Sequence, residues 1–235
     1  MKSIFKYIVI PALFLSVYSC KKDNRAAPGT FLTGAIMYKG DSINVERNQV
    51  PYQLYQYGFG KVGQIGNNTT FQQNGSYSQV LYDGDYKLII PNGQGPFLWK
   101  KDANGNPDSL AISLKGNQTV NLEVTPYYMI RNAQISASGG IVTANFKVEK
   151  IITDSLAKDI ERVSLYINKT QFVSAGDNIA LKDMAGSSIT DPNNITLTVT
   201  VPPITPTQNY IFARVGVKIA NVEDMIFSPL QKIPL

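Results

Sequence analysis

The sequence predicts an all-β protein composed of two consecutive antiparallel β-sandwich domains. Short segments with strand-like alternation recur about every eight to twelve residues, and turn residues separate them. No long segment has the period of roughly 3.6 residues that indicates a helix. Pro126 marks a seam between two runs of strands, because proline cannot donate a hydrogen bond within a central strand. We therefore expect a first domain over residues 30–126 and a second over residues 127–235.

The N-terminal segment has the plan of a secretory signal peptide. Two lysines lie within the first six residues, an almost wholly apolar segment covers residues 7–17, and the small Ser19 precedes Cys20. About eleven apolar residues interrupted by Pro11 are too few to cross a hydrocarbon core about 30 Å thick. We therefore predict a signal peptide over residues 1–19 that is removed from the mature protein.

Cys20 is the only cysteine, and its position indicates lipidation. A lone cysteine is usually a small buried hydrophobe. The segment VYSC at residues 17–20, however, resembles the lipobox of bacterial lipoproteins, with the bulky Tyr18 as a departure from the pattern. The resemblance implies that Cys20 is diacylated and becomes the first residue of the mature chain. Residues 20–29 are then a flexible lipidated tether, whose three basic residues lie against anionic lipid.

The first domain is predicted from strand segments separated by turn-forming residues. Residues 74–90 contain two strands, with glycine turns at Asn74-Gly75 and Asp83-Gly84. Alternation in this segment places Tyr86, Leu88 and Ile90 on one face. The other predicted strands are FLTGAIMY (31–38), VPYQLYQYG (50–58), GPFLWKK (95–101), LAISL (110–114) and TVNLEVT (119–125).

Residues 75–88 resemble a known β-sandwich signature. A Gly-Ser-Tyr turn at residues 75–77 is followed by Tyr-Asp-Gly-Asp-Tyr-Lys-Leu at residues 82–88. This pattern is similar to that of carboxypeptidase-regulatory-like, or transthyretin-like, modules. The resemblance implies that the first domain is a transthyretin-like sandwich, a module that presents ligands or packs beside other domains and seldom catalyses.

The second domain is predicted to be an immunoglobulin-like or fibronectin-like sandwich, because about five to seven strands fit into roughly a hundred residues. Residues 154–163 have a helical spacing that predicts at most a turn or two of helix. The predicted strands are MIRNAQISA (129–137), GIVTANFKVEKI (140–151), RVSLYINKT (162–170), NITLTVTV (194–201) and NYIFARVGVKI (209–219).

Motifs spread over the whole mature chain resemble one protein family. They are, in order, LTG at 32–34, YDGDY at 82–86, VTPY at 124–127, ARVGV at 213–217 and SP at 228–229. Together they resemble a two-domain lipoprotein family of unknown function, encoded beside SusC/SusD-type outer-membrane glycan-uptake pairs in Bacteroidota. The resemblance implies an outer-membrane lipoprotein of a polysaccharide utilisation locus, lipid-anchored at the cell surface. Its possible partners are a polysaccharide and SusC/SusD-like proteins.

Residue composition argues against catalysis and against nucleic-acid binding. The chain has no histidine. This excludes catalytic sites in which a histidine activates a serine or cysteine nucleophile, and it excludes the usual histidine-containing zinc sites. Asp83 and Asp85 are a carboxylate pair in sequence, but an Asp-Gly-Asp turn is better explained by solvated turn residues. The net charge of +5 falls to +3 once Lys2 and Lys6 leave with the signal peptide, and no basic stripe remains. We expect neither an enzyme nor a cofactor.

One string of residues has the spacing of a metal loop. Asp102, Asn104, Asn106 and Asp108 supply an oxygen donor at every second position, as calcium loops do. The glycine is not at the EF-hand position and no glutamate follows at the right spacing. A polar hairpin tip explains these residues equally well, and we favour it.

An aromatic platform for sugar is predicted on the strand that begins near residue 50. If Val50, Tyr52 and Leu54 face the core, a period of two directs Tyr55 and Tyr57 to solvent. Exposed aromatic rings are what sugar binding needs, because the C–H faces of sugars stack on them. The hypothesis is that these two tyrosines contact glycan.

Two further aromatic residues are candidates for the platform. Phe59 stands between two glycines that would let a ligand approach the backbone. Trp99 either joins the platform or fills the sandwich, and we favour the core because a large ring on a strand is usually buried. The alternative to glycan binding is a structural or assembly lipoprotein that touches only protein partners and shares a surface patch with them.

Overall fold

The computed structural model describes residues 26–57, 63–65 and 69–235, and it confirms the predicted all-β fold with two sandwich-like domains. The signal peptide, Cys20 and Phe59 lie outside the described residues. In the ranges that are described, the helical structure is a 3-10 turn at Gly186–Ser188, and no helix is long and apolar enough to cross a membrane.

The first domain is built from eleven strands, two to nine residues long, in the described ranges. They are β1 Thr30–Tyr38, β2 Asp41–Ser42, β3 Gln53–Gln56, β4 Gly63–Ile65, β5 Ser76–Leu81, β6 Gly84–Ile89, β7 Phe97–Leu98, β8 Leu110–Leu114, β9 Gln118–Thr119, β10 Leu122–Glu123 and β11 Thr125–Pro126.

Two sheets of the first domain enclose its core. In one sheet β1 pairs with β5 and β2 antiparallel and with β9 and β10 parallel, and the other sheet has the antiparallel order β4-β3-β6-β8. The alternation predicted from the sequence is confirmed, because its inward positions are all buried. These positions are Val50, Tyr52, Leu54, Tyr86, Leu88 and Ile90.

The second domain also has two sheets. One has the order β12-β13-β16, and the other has the order β15-β14-β17-β18 with β19 also paired to β17. The strands are β12 Tyr128–Ser138, β13 Ile141–Lys150, β14 Ile160–Asn168, β15 Ala180–Ala185, β16 Ile195–Thr200, β17 Tyr210–Ile219, β18 Ile226–Phe227 and β19 Gln231–Pro234.

Three strands of the second domain were not predicted from sequence: β15, β19 and the two-residue β18. β15 is an edge strand of its sheet, and most of its residues are exposed. Polar residues such as Lys182 and Asp183 therefore stand where a half-buried strand would alternate between apolar and polar residues, so the sequence did not reveal this strand. β19 is a short strand near the C-terminus that contains Pro234. Residues 154–163, which have helical spacing, form a turn followed by the start of β14, because burial in the sheet outweighs a short local pattern.

The two domains share one continuous core. A single cluster of buried apolar side chains extends from Leu32 in β1 to Ile233 in β19. The connection between the domains is itself paired, since Thr125 and Pro126 of β11 lie opposite Leu98 and Phe97 of β7. Continuous packing of this kind holds the domains in one arrangement.

Polar contacts also cross the domain boundary. The Asp224 carboxylate accepts a hydrogen bond of 2.7 Å from the Gly95 N–H, and burial raises the pKa of Asp224. Arg131 forms an ion pair with Asp41, and Phe227 N–H donates to the Asn44 carbonyl at 3.0 Å. These contacts determine which residues of the two domains face each other.

Candidate functional site

The outer face of the sheet that contains β3 and β6 carries the predicted aromatic residues. Leu54 is buried on the inner face, so Tyr55, its neighbour in β3, points the other way and is partly exposed, as is Tyr57. The antiparallel register places Tyr55 directly opposite Lys87 of β6. We call the outer surface formed by Gln53, Tyr55, Tyr57, Asp85 and Lys87 the tyrosine face.

Contacts on the tyrosine face orient both rings. The Tyr55 hydroxyl donates a hydrogen bond of 2.8 Å to Gln53 Oε1. The Lys87 ammonium lies 5.1 Å from the centroid of the Tyr57 ring, within the range of a cation–π contact. Residues two apart on a strand are about 7 Å apart, so the rings offer two neighbouring apolar surfaces edged by hydrogen-bonding groups.

Trp99 follows β7 directly and packs against the core. It is partly buried against the core, and its indole N–H donates a 2.7 Å hydrogen bond to the Asp108 carbonyl. Trp99 lines a cavity of about 230 Å³ between the domains together with Phe97 and Tyr127. Neither Tyr55 nor Tyr57 lines that cavity. Trp99 therefore lies half-buried in the wall of this cavity.

The calcium-like string forms a tight hairpin. Asp102 Oδ1 accepts the N–H groups of Asn104 and Asn106, each at 2.9 Å, and Asp108 forms an ion pair of 3.0 Å with Lys100. These contacts are those of an aspartate-stabilised turn. Within the described ranges, no three histidine, cysteine, aspartate or glutamate side chains come together as a metal site would require.

A second cavity between the domains was not predicted from sequence. It measures about 510 Å³, and we call it the interdomain cleft. Residues of both domains form its wall, and one of them is the buried Arg214. The first domain contributes Asn44, Arg47, Gln72, Gln73, Asn74 and Ser76, and the second contributes Gln171, Phe172, Arg214, Pro229 and Leu230. The signal that could have revealed it is Arg214, a charged residue in the middle of the mainly apolar β17.

Comparisons with known proteins identify relatives for both domains. A family model described as the N-terminal domain of a protein of unknown function (DUF3823) matches residues 30–125, and one described as a domain of unknown function (DUF3823_C) matches residues 128–232. No curated protein is significantly similar to the chain.

Solved structures with the same fold are known. A DUF3823 family protein from Parabacteroides merdae is 33% identical, with 88% of this chain and 100% of that chain covered and a TM-score of 0.75. One from Bacteroides ovatus is 27% identical, with 88% and 99% covered and a TM-score of 0.75. A Bacteroides uniformis protein named "putative carbohydrate binding protein" is 15% identical, with 89% and 100% covered and a TM-score of 0.65.

Proposed function

The chain belongs to the DUF3823 family, and from that premise we propose that it is a non-catalytic, carbohydrate-binding lipoprotein of the outer membrane. In this proposal it is anchored through Cys20 at the cell surface and holds polysaccharide for a SusC/SusD-like uptake pair. The observation that carries the proposal is the tyrosine face. The name of the Bacteroides uniformis protein is consistent with it.

The tyrosine face has the chemistry that polysaccharide binding requires. Tyr55 and Tyr57 supply rings on which sugar C–H faces stack, while Gln53, Asp85 and Lys87 supply donors and acceptors for hydroxyl groups. The face is the outer side of a sheet, whereas sites for isolated small molecules are concave. An open face suits an extended chain that continues beyond the site in both directions.

The environment of Asp83 supports the absence of catalysis. Thr30 donates a 2.7 Å hydrogen bond to its carboxylate and the Gly116 N–H donates another at 3.1 Å, and these bonds lower the pKa of Asp83. Glycoside hydrolysis needs one carboxylic acid with a raised pKa. Asp83 is therefore unsuited to act as the acid in a pair with Asp85.

Removal of the two rings tests the proposal. We expect the Tyr55→Ala, Tyr57→Ala double variant to bind polysaccharide more weakly by about 1 kcal/mol or more, which is at least a fivefold rise in Kd, because each stacking surface is lost. The measurement is calorimetry with a polysaccharide that binds the wild type.

The matched control is Tyr210→Ala. Tyr210 is also partly exposed and its ring also lies near a lysine, with Lys232 Nζ 3.9 Å from the centroid, but it belongs to the second domain. We expect this variant to bind as the wild type does. Unchanged affinity in the double variant, with an intact circular dichroism spectrum, would contradict the proposal.

Lipidation is tested at Cys20. We expect Cys20→Ala to abolish recovery in the membrane fraction or to leave an unprocessed precursor, because the thiol is the proposed site of acylation. Fractionation followed by mass measurement of the N-terminus detects both outcomes, and Ser16→Ala, outside the lipobox, is the control. Normal processing together with membrane association in Cys20→Ala would rule out this anchor.

A second candidate function is assembly with a protein partner. Phe31 and Val80 lie opposite each other in the β1–β5 register, and each is 46% exposed, which leaves a small apolar pair on the surface. A partner protein would cover such a pair. Co-purification with SusC/SusD-like proteins that is lost in Phe31→Ser, together with unchanged glycan affinity in the tyrosine double variant, would favour this function.

A further inference from the structure

Arg214 is a buried cation that joins the two domains. It lies in β17 and is only 1% exposed. Its Nε–H donates to the Val173 carbonyl, and its Nη1–H donates to the Val45 carbonyl of the first domain at 3.0 Å. The guanidinium also lies 3.7 Å from the centroid of the Phe227 ring. Two of the three guanidinium nitrogens are thus occupied by backbone acceptors.

The charge of Arg214 has no direct counter-ion. In the described part of the chain, no carboxylate lies within ion-pair distance of it. Burial lowers the pKa of Arg214 to about 10, against the opposing attraction of Glu46. A buried charge without a paired partner is costly for a folded protein. An anionic ligand would supply that partner.

Two unpaired polar atoms belong to residues of the same cavity wall. Among the described residues, Arg214 Nη2 has no acceptor and Gln73 Oε1 has no donor, and both atoms are buried. Both residues line the interdomain cleft. Gln73 Nε2 donates to the Gln171 carbonyl at 2.9 Å, which holds the Gln73 amide in place. Neither atom has a protein partner, and each belongs to a side chain that lines the cleft, so a small rotation of either side chain would present it to a ligand.

The wall of the cleft is mostly polar and carries no negative charge among the described residues. It contains two arginines, five carboxamide side chains and no carboxylate among the described residues. The second arginine, Arg47, lies 4.1 Å from the centroid of the Phe172 ring. Carboxamides are donors and acceptors for hydroxyl groups, and Phe172 adds an apolar surface. A volume of about 510 Å³ lies within the usual range for ligand sites.

We propose that the interdomain cleft binds an acidic saccharide, with a uronate carboxylate accepting a hydrogen bond from Arg214 Nη2 and a sugar hydroxyl donating to Gln73 Oε1. Arg47 adds positive charge beside the same carboxylate, and the carboxamides contact the remaining hydroxyls. A neutral sugar leaves the guanidinium without a counter-ion, so the cleft discriminates in favour of the acid. This inference rests on the proposed carbohydrate binding but concerns a separate site.

The test is calorimetry on the purified full-length chain with trigalacturonate, and with the neutral galactose trisaccharide for comparison. We expect trigalacturonate to bind at least about tenfold more tightly than the neutral sugar, because a charge-assisted hydrogen bond is lost in the latter. Arg214→Lys keeps the charge but removes the planar fork, and we expect it to lose at least about tenfold in affinity for trigalacturonate.

Further variants keep the test decisive if Arg214→Lys does not fold. Gln73→Leu and Arg47→Gln change side chains at the edge of the cleft, and each is expected to weaken trigalacturonate binding several-fold. The control is Arg162→Gln, a surface arginine paired with Glu161, which should bind as the wild type does. Equal binding of the two sugars, no trigalacturonate binding, or wild-type affinity in both edge variants would overturn the inference.

The two proposals can be rejected independently of each other. If trigalacturonate does not bind while polysaccharide binding still depends on Tyr55 and Tyr57, the cleft assignment is wrong and the proposed function stands. If trigalacturonate binding depends on Arg214 and is unchanged in the tyrosine double variant, the cleft is an independent site. If neither set of variants changes the binding of any saccharide, both proposals are wrong.

Discussion

Replacement of Gly75 with alanine is expected to lower the free energy of unfolding by about 2–5 kcal/mol, which is a large fraction of the stability of an ordinary protein. Gly75 has a φ of +78°, a conformation that costs an L-residue about 1–2 kcal/mol. A Cβ at this position would lie 2.1 Å from the Ile43 carbonyl oxygen, so the backbone itself would have to shift, at a further cost of about 1–3 kcal/mol.

The contacts of Gly75 explain why the backbone cannot easily move away from the Ile43 carbonyl. Its N–H donates to the Gln72 carbonyl at 2.8 Å, and its carbonyl accepts from the Ile36 N–H at 2.9 Å, which ties the turn to β1. Ile43 is fully buried on the other side. A shift at Gly75 therefore disturbs hydrogen bonds and core packing together.

Gly139→Ala is the matched control for Gly75→Ala. Gly139 also has a positive φ, of +58°, but nothing lies within 4 Å of a Cβ built there. We expect it to cost only about 1 kcal/mol, from the conformation alone. Urea unfolding of both variants gives the difference, which isolates the steric part. Equal losses in the two variants would contradict the predicted collision with Ile43.

Phe227→Ala is expected to cost about 3–5 kcal/mol, because it removes a buried ring from the second domain. Phe227 is 2% exposed, and its ring packs over Gly216 and lies 6.1 Å from the Tyr166 ring. The ring also covers the Arg214 guanidinium, so its loss leaves a cavity beside a buried charge. Chemical denaturation followed by tryptophan fluorescence and circular dichroism measures the loss.

Phe227→Leu separates the two contributions of that ring. Leucine keeps much of the apolar volume but has no π face for the guanidinium, so we expect a loss of about 1–2 kcal/mol, near the value of a desolvated cation–π contact. Because the two domains share one core, both domains should lose stability together. A loss below about 1 kcal/mol for Phe227→Ala, or the loss of only one domain's signal, would contradict this account.

The strands buried on one face could be predicted residue by residue. Val50, Tyr52 and Leu54 were expected inside from alternation, and each is buried. The same holds for Leu88 and Ile90 in the following hairpin. Side-chain direction along a strand has a period of two whatever the strand pairs with, so the local pattern carries this information. An exposed end strand such as β15 gives no such pattern and was missed.

The tyrosine face could be predicted only in part. The outward direction of Tyr55 and Tyr57 follows from the alternation in β3. Their neighbours do not, because Lys87 stands opposite Tyr55 only through the register between β3 and β6. Trp99 illustrates the same limit, since its place at the cavity between the domains depends on how the loops before β8 pack against the second domain. Register and packing are properties of pairs of segments, not of one segment.

The all-β class, the succession of two domains and the inward face of most central strands follow from the amino-acid sequence, since each depends on local alternation and turn chemistry. The interdomain cleft, in contrast, exists only once the two domains have packed together. Arg214 becomes a buried cation with an unpaired nitrogen because Val45 and Val173, far apart in the chain, accept its other two donors. Whether a charged side chain is solvated, paired or left unpaired is a property of its whole surroundings, which no local pattern encodes.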